Sequence, residues 1–221
     1  MTSVFVAPLL RRSLAAVFRF YDAFYFPIDD RTPPIDAALE VAIPSLGWTA
    51  LRNEADATYR FSALTLEQPV PSGPALAVQV VSARGDYVSF EPIVLTLPRA
   101  VSTPPRRSDY LIALPLWPTT AFRPPGFETA VYGRILSPTA QPVSDLRVRA
   151  WTGGAPLPPP GSPYTRSNAQ GEFLFRFPLL KGAAGRTESI SLQLADGAVA
   201  VAPTSVLITR GQTQIIELQR S

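Results

Sequence analysis

Asn168-Ala169-Gln170-Gly171, running into Glu172-Phe173-Leu174-Phe175-Arg176-Phe177, is the stretch that decides the fold. Its first four residues form a hairpin turn, in which Gly171 takes positive φ at little cost because it lacks a Cβ. The next six alternate and place Phe173, Phe175 and Phe177 on one face of a strand, a core stripe. A similar arrangement stands 114 positions earlier, where Glu54-Ala55-Asp56-Ala57-Thr58 leads into Tyr59-Arg60-Phe61. The same offset relates Val17 to Val131, and Val78 and Val80 to Leu192 and Leu194. The spacing predicts a duplicated β-rich unit. In the first copy Ala57 occupies the glycine's place and must either bear a strained φ or change the turn type.

Working outward, period-2 runs dominate the rest of the chain. Phe18 and Phe20 alternate with Val17, Arg19 and Tyr21; Leu39, Val41 and Ile43 alternate with Glu40 and Ala42; Leu76, Val78 and Val80 alternate with Ala77 and Gln79. Ile93–Leu97, Val131–Leu136, Leu146–Trp151, Ser189–Leu194, Val206–Thr209 and Ile215–Leu218 read as further strands. The 25 prolines, against only 13 glycines, fit short strands joined by rigid turns, because proline is excluded from helix interiors and central strands. The expected class is all-β, with two tandem antiparallel β-sandwich domains of immunoglobulin-like type. Expected boundaries are an N-terminal domain with its arm over 1–98, a Pro-rich connector over 99–128 and a second sandwich over 129–221. Tyr110–Trp117 in the connector is apolar enough to require burial, so the connector is expected to dock.

The chain has neither histidine nor cysteine. Serine–histidine and cysteine–histidine nucleophiles, thiolate zinc sites and disulfides are therefore excluded. A serine–lysine dyad would need Lys181, which sits in a turn-like Lys-Gly-Ala-Ala-Gly run, and no phosphate-binding glycine loop occurs. Asp29 and Asp30 near Asp36 are the one acidic cluster. They lack the spacing of a calcium loop, and turn capping is their simpler role. No cofactor and no metal is expected. A net charge of +3 comes from scattered arginines and not from a continuous basic stripe, which argues against nucleic acid. No run approaches the ~20 apolar residues of a membrane span. The apolar Val4–Leu10 precedes Arg11-Arg12 instead of following a basic region, so it reads as an ordered arm and not a secretion signal.

The second half carries a resemblance. Tyr132-Gly133-Arg134-Ile135-Leu136, then Gln141-Pro142-Val143 with Leu146-Arg147-Val148, then Thr165 to Phe173, and finally Ile208-Thr209-Arg210-Gly211-Gln212 before Ile216-Glu217-Leu218 occur in that order. This resembles the carboxypeptidase regulatory-like domain, a small transthyretin-like β-sandwich, over roughly Ala130 to Arg220. The N-terminal copy resembles it more loosely. Such domains are accessories, so the resemblance implies no peptidase activity. The whole layout is similar to accessory proteins of phage-tail-like contractile injection particles.

The expectation is a non-enzymatic structural or adaptor protein that contacts other protein subunits of a large assembly, as a cap, baseplate or sheath-associated component. Self-association is compatible with it, and assembly in the cytoplasm is the expected location. The contact residues expected are Val4, Phe5 and Leu9 in the arm, Tyr110, Leu114 and Trp117 in the connector, and Trp151, Pro159 and Tyr164 at the Pro-rich loop. The alternative is a carbohydrate- or cell-surface-binding module with its tryptophans as platforms.

Overall fold

The computed structural model describes residues 12–25, 31–64, 75–95, 111–152, 157–158, 162–178, 180, 184–196 and 199–220. The strands of the first half are β1 (Arg12–Asp22), β2 (Leu39–Ile43), β3 (Trp48–Thr49), β4 (Leu51–Asn53), β5 (Thr58–Leu64), β6 (Leu76–Ser82), β7 (Tyr87–Val88) and β8 (Ile93–Leu95). Those of the second are β9 (Leu111–Pro118), β10 (Thr129–Leu136), β11 (Arg147–Thr152), β12 (Tyr164–Arg166), β13 (Glu172–Phe177), β14 (Thr187–Asp196), β15 (Val199–Ala200), β16 (Thr204–Thr209) and β17 (Thr213–Gln219). Among the described residues only two single 3-10 turns, Ala23–Tyr25 and Pro44–Leu46, interrupt them. The chain is all-β, as the alternation requires.

The chain forms two compact units that do not follow its linear order. One comprises the described parts of residues 1–20, 34–81 and 91–114; the other takes 21–33, 82–90 and 115–221. The apolar half of the expected connector is a strand: β9 lies beside β1, and its end pairs with β7 through Val88↔Trp117 and Tyr87↔Pro118. Backbone pairing satisfies this run as well as docking would, and its prolines had disguised it as linker.

The first unit has strands β4, β5, β1 and β9 side by side, and a second sheet in the order β3-β2-β6-β8. Its core is aromatic. Phe18 packs edge-on to Phe61 at 5.7 Å and Phe20 to Tyr59 at 5.6 Å, with all four rings buried. The hydroxyl of Tyr59 donates to Ala37 O (3.1 Å) and accepts from Leu39 N (3.3 Å), so its polar tip is satisfied inside the core. At the β4–β5 turn Ala57 does adopt positive φ, at 49°. Asp56 Oδ1 braces the turn by accepting from Thr58 N (3.3 Å) and Thr58 Oγ1 (2.6 Å).

The second unit is a sandwich of the sheet β13-β10-β17 against β12-β11-β14, with β15 and β16 both paired to β14. Pairing is antiparallel except for β10 with β17, which run parallel. Phe173 and Phe175 are buried with Val131, Ile135, Val148, Ile190, Leu192 and Ile208, and Phe177 packs partly buried beside them. Phe24, from the 3-10 turn after β1, enters the same core with its ring 4.6 Å from Phe175. Gly133 faces Phe173 across the ladder, and a Cβ there would stand 2.1 Å from the phenyl ring. The bare backbone lets that ring lie flat over the strand.

The Asn168–Gly171 turn forms as its residues dictate. Asn168 Oδ1 accepts from the backbone of Gln170 and of Glu172, both at 2.9 Å, and Gly171 sits at φ 74°. Gly171 O accepts from Ile135 N (2.8 Å), and a Cβ on Gly171 would meet Ile135 O at 2.5 Å. The 114-residue offset holds for the two turns, but the pairing differs by one residue. Transposing Phe18↔Tyr59 would give Tyr132↔Phe173, whereas Tyr132 pairs with Leu174.

The two turns make opposite expectations. Ala57→Gly removes left-handed strain and raises the unfolding free energy by about 1 kcal/mol in urea titrations. Gly171→Ala adds that strain to a backbone clash and lowers it by roughly 3 kcal/mol. Equal effects at both positions would show that the turns are not strained as described.

Candidate functional site

The outer face of the sheet β13-β10-β17 carries the chemistry of the second unit. Register sets three rows across it: Arg176, Ala130 and Thr213; Leu174, Tyr132 and Ile215; Glu172, Arg134 and Glu217. Strand alternation turns Arg176 away from the phenylalanine core, which for an isolated sheet would mean solvent. Here the chain covers it, and Arg176 is only 4% exposed.

Arg176 is held by a fork. Its Nε donates to Glu128 Oε1 (2.6 Å) and its Nη2 to Glu128 Oε2 (2.7 Å), the bidentate arrangement that guanidinium planarity favours. Its Nη1 donates to Asp22 Oδ2. The ring of Phe122 lies 4.3 Å from the guanidinium carbon, on its face. Asp22 Oδ1 accepts from Phe24 N (2.9 Å), and Tyr87 donates to Asp22 Oδ2 (3.2 Å). One buried cation thus faces two buried carboxylates, and the site holds an excess negative charge. Burial pushes the Asp22 carboxyl up to about 6 despite the neighbouring Arg176, and raises the Tyr87 hydroxyl well above the ordinary phenol range. The charged groups of the cluster bond to one another, and Arg176, Asp22 and Glu128 are all buried.

Farther along, the face opens. A groove of about 530 Å³ is lined by Thr120, Arg123, Tyr132, Arg134, Thr213 and Ile215, among others. Thr120, Glu172 and Phe173 also line an adjoining cavity of about 200 Å³. Ile215, at the groove, is 87% exposed. Arg123 is exposed and stands in the segment whose Phe122 carbonyl accepts from the Tyr132 hydroxyl.

The expected contact residues fall into three groups. Val4, Phe5, Leu9, Tyr110 and Pro159 lie outside the described residues, as do Asp29, Asp30 and Lys181. Trp117 and Trp151 are corrected: at 6% and 4% exposure they are interior residues and present no surface. Leu114 and Tyr164 are half-buried. Trp117 and Tyr164 join Phe90 in a ring cluster, at 5.3 Å from each other and 5.2 Å from Trp117 to Phe90. Arg147 covers Tyr164 at 4.5 Å. Asp36 is exposed and pairs with Arg52 (2.9 Å). Among the described residues no three acidic side chains gather as metal ligands do. Sequence reading passed over Arg176, Asp22 and Glu128, because a lone arginine between phenylalanines looks the same whether solvated or capped.

No protein-family model matches the chain. No curated protein matches it. Among solved structures it overlaps the dioxygenase domain of a dioxygenase–carbohydrate-binding fusion from Streptomyces sp. SirexAA-E at 23% identity and a TM-score of 0.27, over 37% of this chain and 56% of that one. It overlaps the Bacillus anthracis TIE protein at 11% identity and 0.30, over 93% and 33%. It overlaps a mutant of the shaft pilin SpaA from Lactobacillus rhamnosus GG at 10% identity and 0.31, over 95% and 99%. The chain thus spans about half and a third of the first two. Similarities at these scores assign no family. Among the described residues no helix is long and apolar enough to cross a membrane.

The charge excess around Arg176 has a pH signature. Native Asp22 holds its proton up to about 6, against an ordinary value of 3.8, so the native state binds more protons between those values. This group's contribution is therefore fully present below the lower value and lost as pH rises through the upper one. Between about pH 7 and about pH 5, wild type gains about 1 kcal/mol relative to Asp22→Asn in urea unfolding. Parallel pH profiles for the two proteins would contradict the assignment.

Proposed function

We propose that this chain is a non-catalytic structural β-protein that makes protein–protein contacts in a larger assembly. The observation that carries the reading is a set of large apolar side chains left in solvent on the second unit: Phe127 at 84%, Leu207 at 68% and Ile215 at 87% exposure. Ile215 and Leu207 lie on β17 and β16, and the carbonyl of Phe127 stands 3.6 Å from where a Cβ on Gly211, in the turn joining those strands, would lie. Leu207 and Ile215 face outward from the two opposed sheets, because their neighbours Ile208 and Ile216 pack into the core, and each is an apolar anchor that a protein interface can cover. The absence of histidine and cysteine from the sequence, and the sealed charge cluster, support a scaffold over a catalyst.

The finer reading is an accessory subunit of a phage-tail-like contractile injection particle, in a cap, baseplate or sheath-associated position and assembled in the cytoplasm. It rests on the layout of the sequence. The carbohydrate alternative is the weaker one, because Trp117 and Trp151 are buried and arginine covers the Tyr164 ring.

Photo-reactive phenylalanine analogues at positions 127, 207 and 215, introduced one at a time in the native source, test the reading. The expected result is a discrete cross-linked species with a defined subunit at one or more positions. A chain that stays monomeric and gives no adduct at any of the three refutes it.

A further inference from the structure

We infer that the β17 edge of the sheet β13-β10-β17, next to the groove, receives an extended segment of a partner subunit as an added strand, with an apolar residue against Ile215 flanked by one acidic and one basic residue. This rests on the protein-contact reading above and names the partner's chemistry.

Three observations converge on it. First, β17 ends its sheet among the described residues. Ala130 N donates to Gln212 O (3.2 Å) and Arg220 N to Leu136 O (2.8 Å), so the even-numbered residues along β17 turn their backbone toward β10. Alternation then turns the N–H and C=O groups of Thr213, Ile215, Glu217 and Gln219 toward the open edge, the template that an added strand uses. Second, the neighbouring edge is closed. With its carboxamide turned so that both ends are satisfied, Gln214 donates to Leu207 O (3.1 Å) and accepts from Thr209 N (3.3 Å), which occupies these two groups of β16 and leaves the edge of β17 open beside them. Third, the side chains of those same four β17 residues are all exposed, and Ile215 has no apolar cover.

Charge supplies the pattern. Glu217 follows Ile215 by two residues and points to the same face, while Arg123 stands in the groove wall contributed by the segment before β10. Both are exposed, and neither has an ion-pair partner among the described residues. A complementary segment therefore places a base near Glu217, an apolar side chain opposite Ile215 and an acid near Arg123, at alternate positions of one strand. Like charges at either place are repelled, which gives the edge selectivity and keeps uniformly charged strands off it.

Three fluorescent peptides with a valine centre test this by anisotropy: one flanked by a glutamate and a lysine at alternate positions, one by two glutamates, one by two lysines. Wild type should bind the mixed peptide most tightly, by about fivefold for the mismatched charge. Glu217→Arg should shift the preference to the diglutamate peptide and Arg123→Glu to the dilysine peptide. Both substitutions are at exposed positions, so folding is preserved, and each variant gains a ligand. Amide shifts on titration should centre on Thr213, Ile215 and Glu217. Binding of no peptide, equal binding of all three, or unchanged preference in the variants overturns the inference. Concentration-dependent dimerisation in sedimentation that protects the same amides also overturns it, in favour of a second copy. If cross-linking at 127 and 207 persists while the peptide preference fails, the groove is wrong and the contact reading stands. If all cross-links are absent, the reading itself fails.

Discussion

The second unit depends on one buried guanidinium. Arg176 would face solvent on a bare sheet. It becomes an interior cation because three stretches of chain supply what it needs: Asp22 from the end of β1, Tyr87 from β7, and Phe122 and Glu128 from the stretch before β10. A buried charge is tolerated only when it is paired and hydrogen-bonded, so the same residue that costs desolvation also dictates which segments must close over it. Glu128, with both carboxylate oxygens in the fork, is the stronger partner. Burial raises the affinity of Asp22 for a proton, outweighing Arg176, Phe24 N and Tyr87, which all donate to it and favour its ionised form.

The cover determines what remains open. Phe122, Thr120 and Arg123 belong to the segment that closes over Arg176, and the groove begins where that cover ends. Tyr132 takes part in both: its ring is in the middle row of the face, and its hydroxyl donates to the carbonyl of Phe122. The sealed charge cluster and the groove that reaches Ile215 are thus two parts of one face, the first fixing the wall of the second.

Where local chemistry determined structure, it could be read. The Asn168–Gly171 turn, the phenylalanine stripe and the strand positions follow from φ preference and alternation, and Phe173 and Phe175 are buried as the period demands. Ala57 shows the rule holding against resistance, since the turn keeps its positive φ even without glycine. What was not legible is non-local. Alternation assigns Arg176 to a face but cannot say whether residues 154 positions away will cover it. Trp117 and Trp151 looked like contact residues because they adjoin proline-rich stretches, yet large aromatics fill interiors as readily as they line surfaces. The run Leu111–Pro118 hid as a linker because Pro115 breaks the usual appearance of a strand.

The discontinuity of the second unit bears on how the chain is made. Residues 21–33 and 82–90 leave the ribosome long before β13 does, and they belong to a unit that has no Arg176 to close upon until most of the chain has been synthesised. Phe24 and Asp22 must therefore wait, one an apolar ring and the other a carboxylate, both exposed until β13 arrives. Contacts of such long sequence separation form slowly, because loop closure comes before any gain from them. Residues 129–221 also draw on Glu128, Asp22 and Phe24 from outside that span. Cut free, they would carry an uncapped arginine on the sheet face and a vacancy in the core where Phe24 belongs.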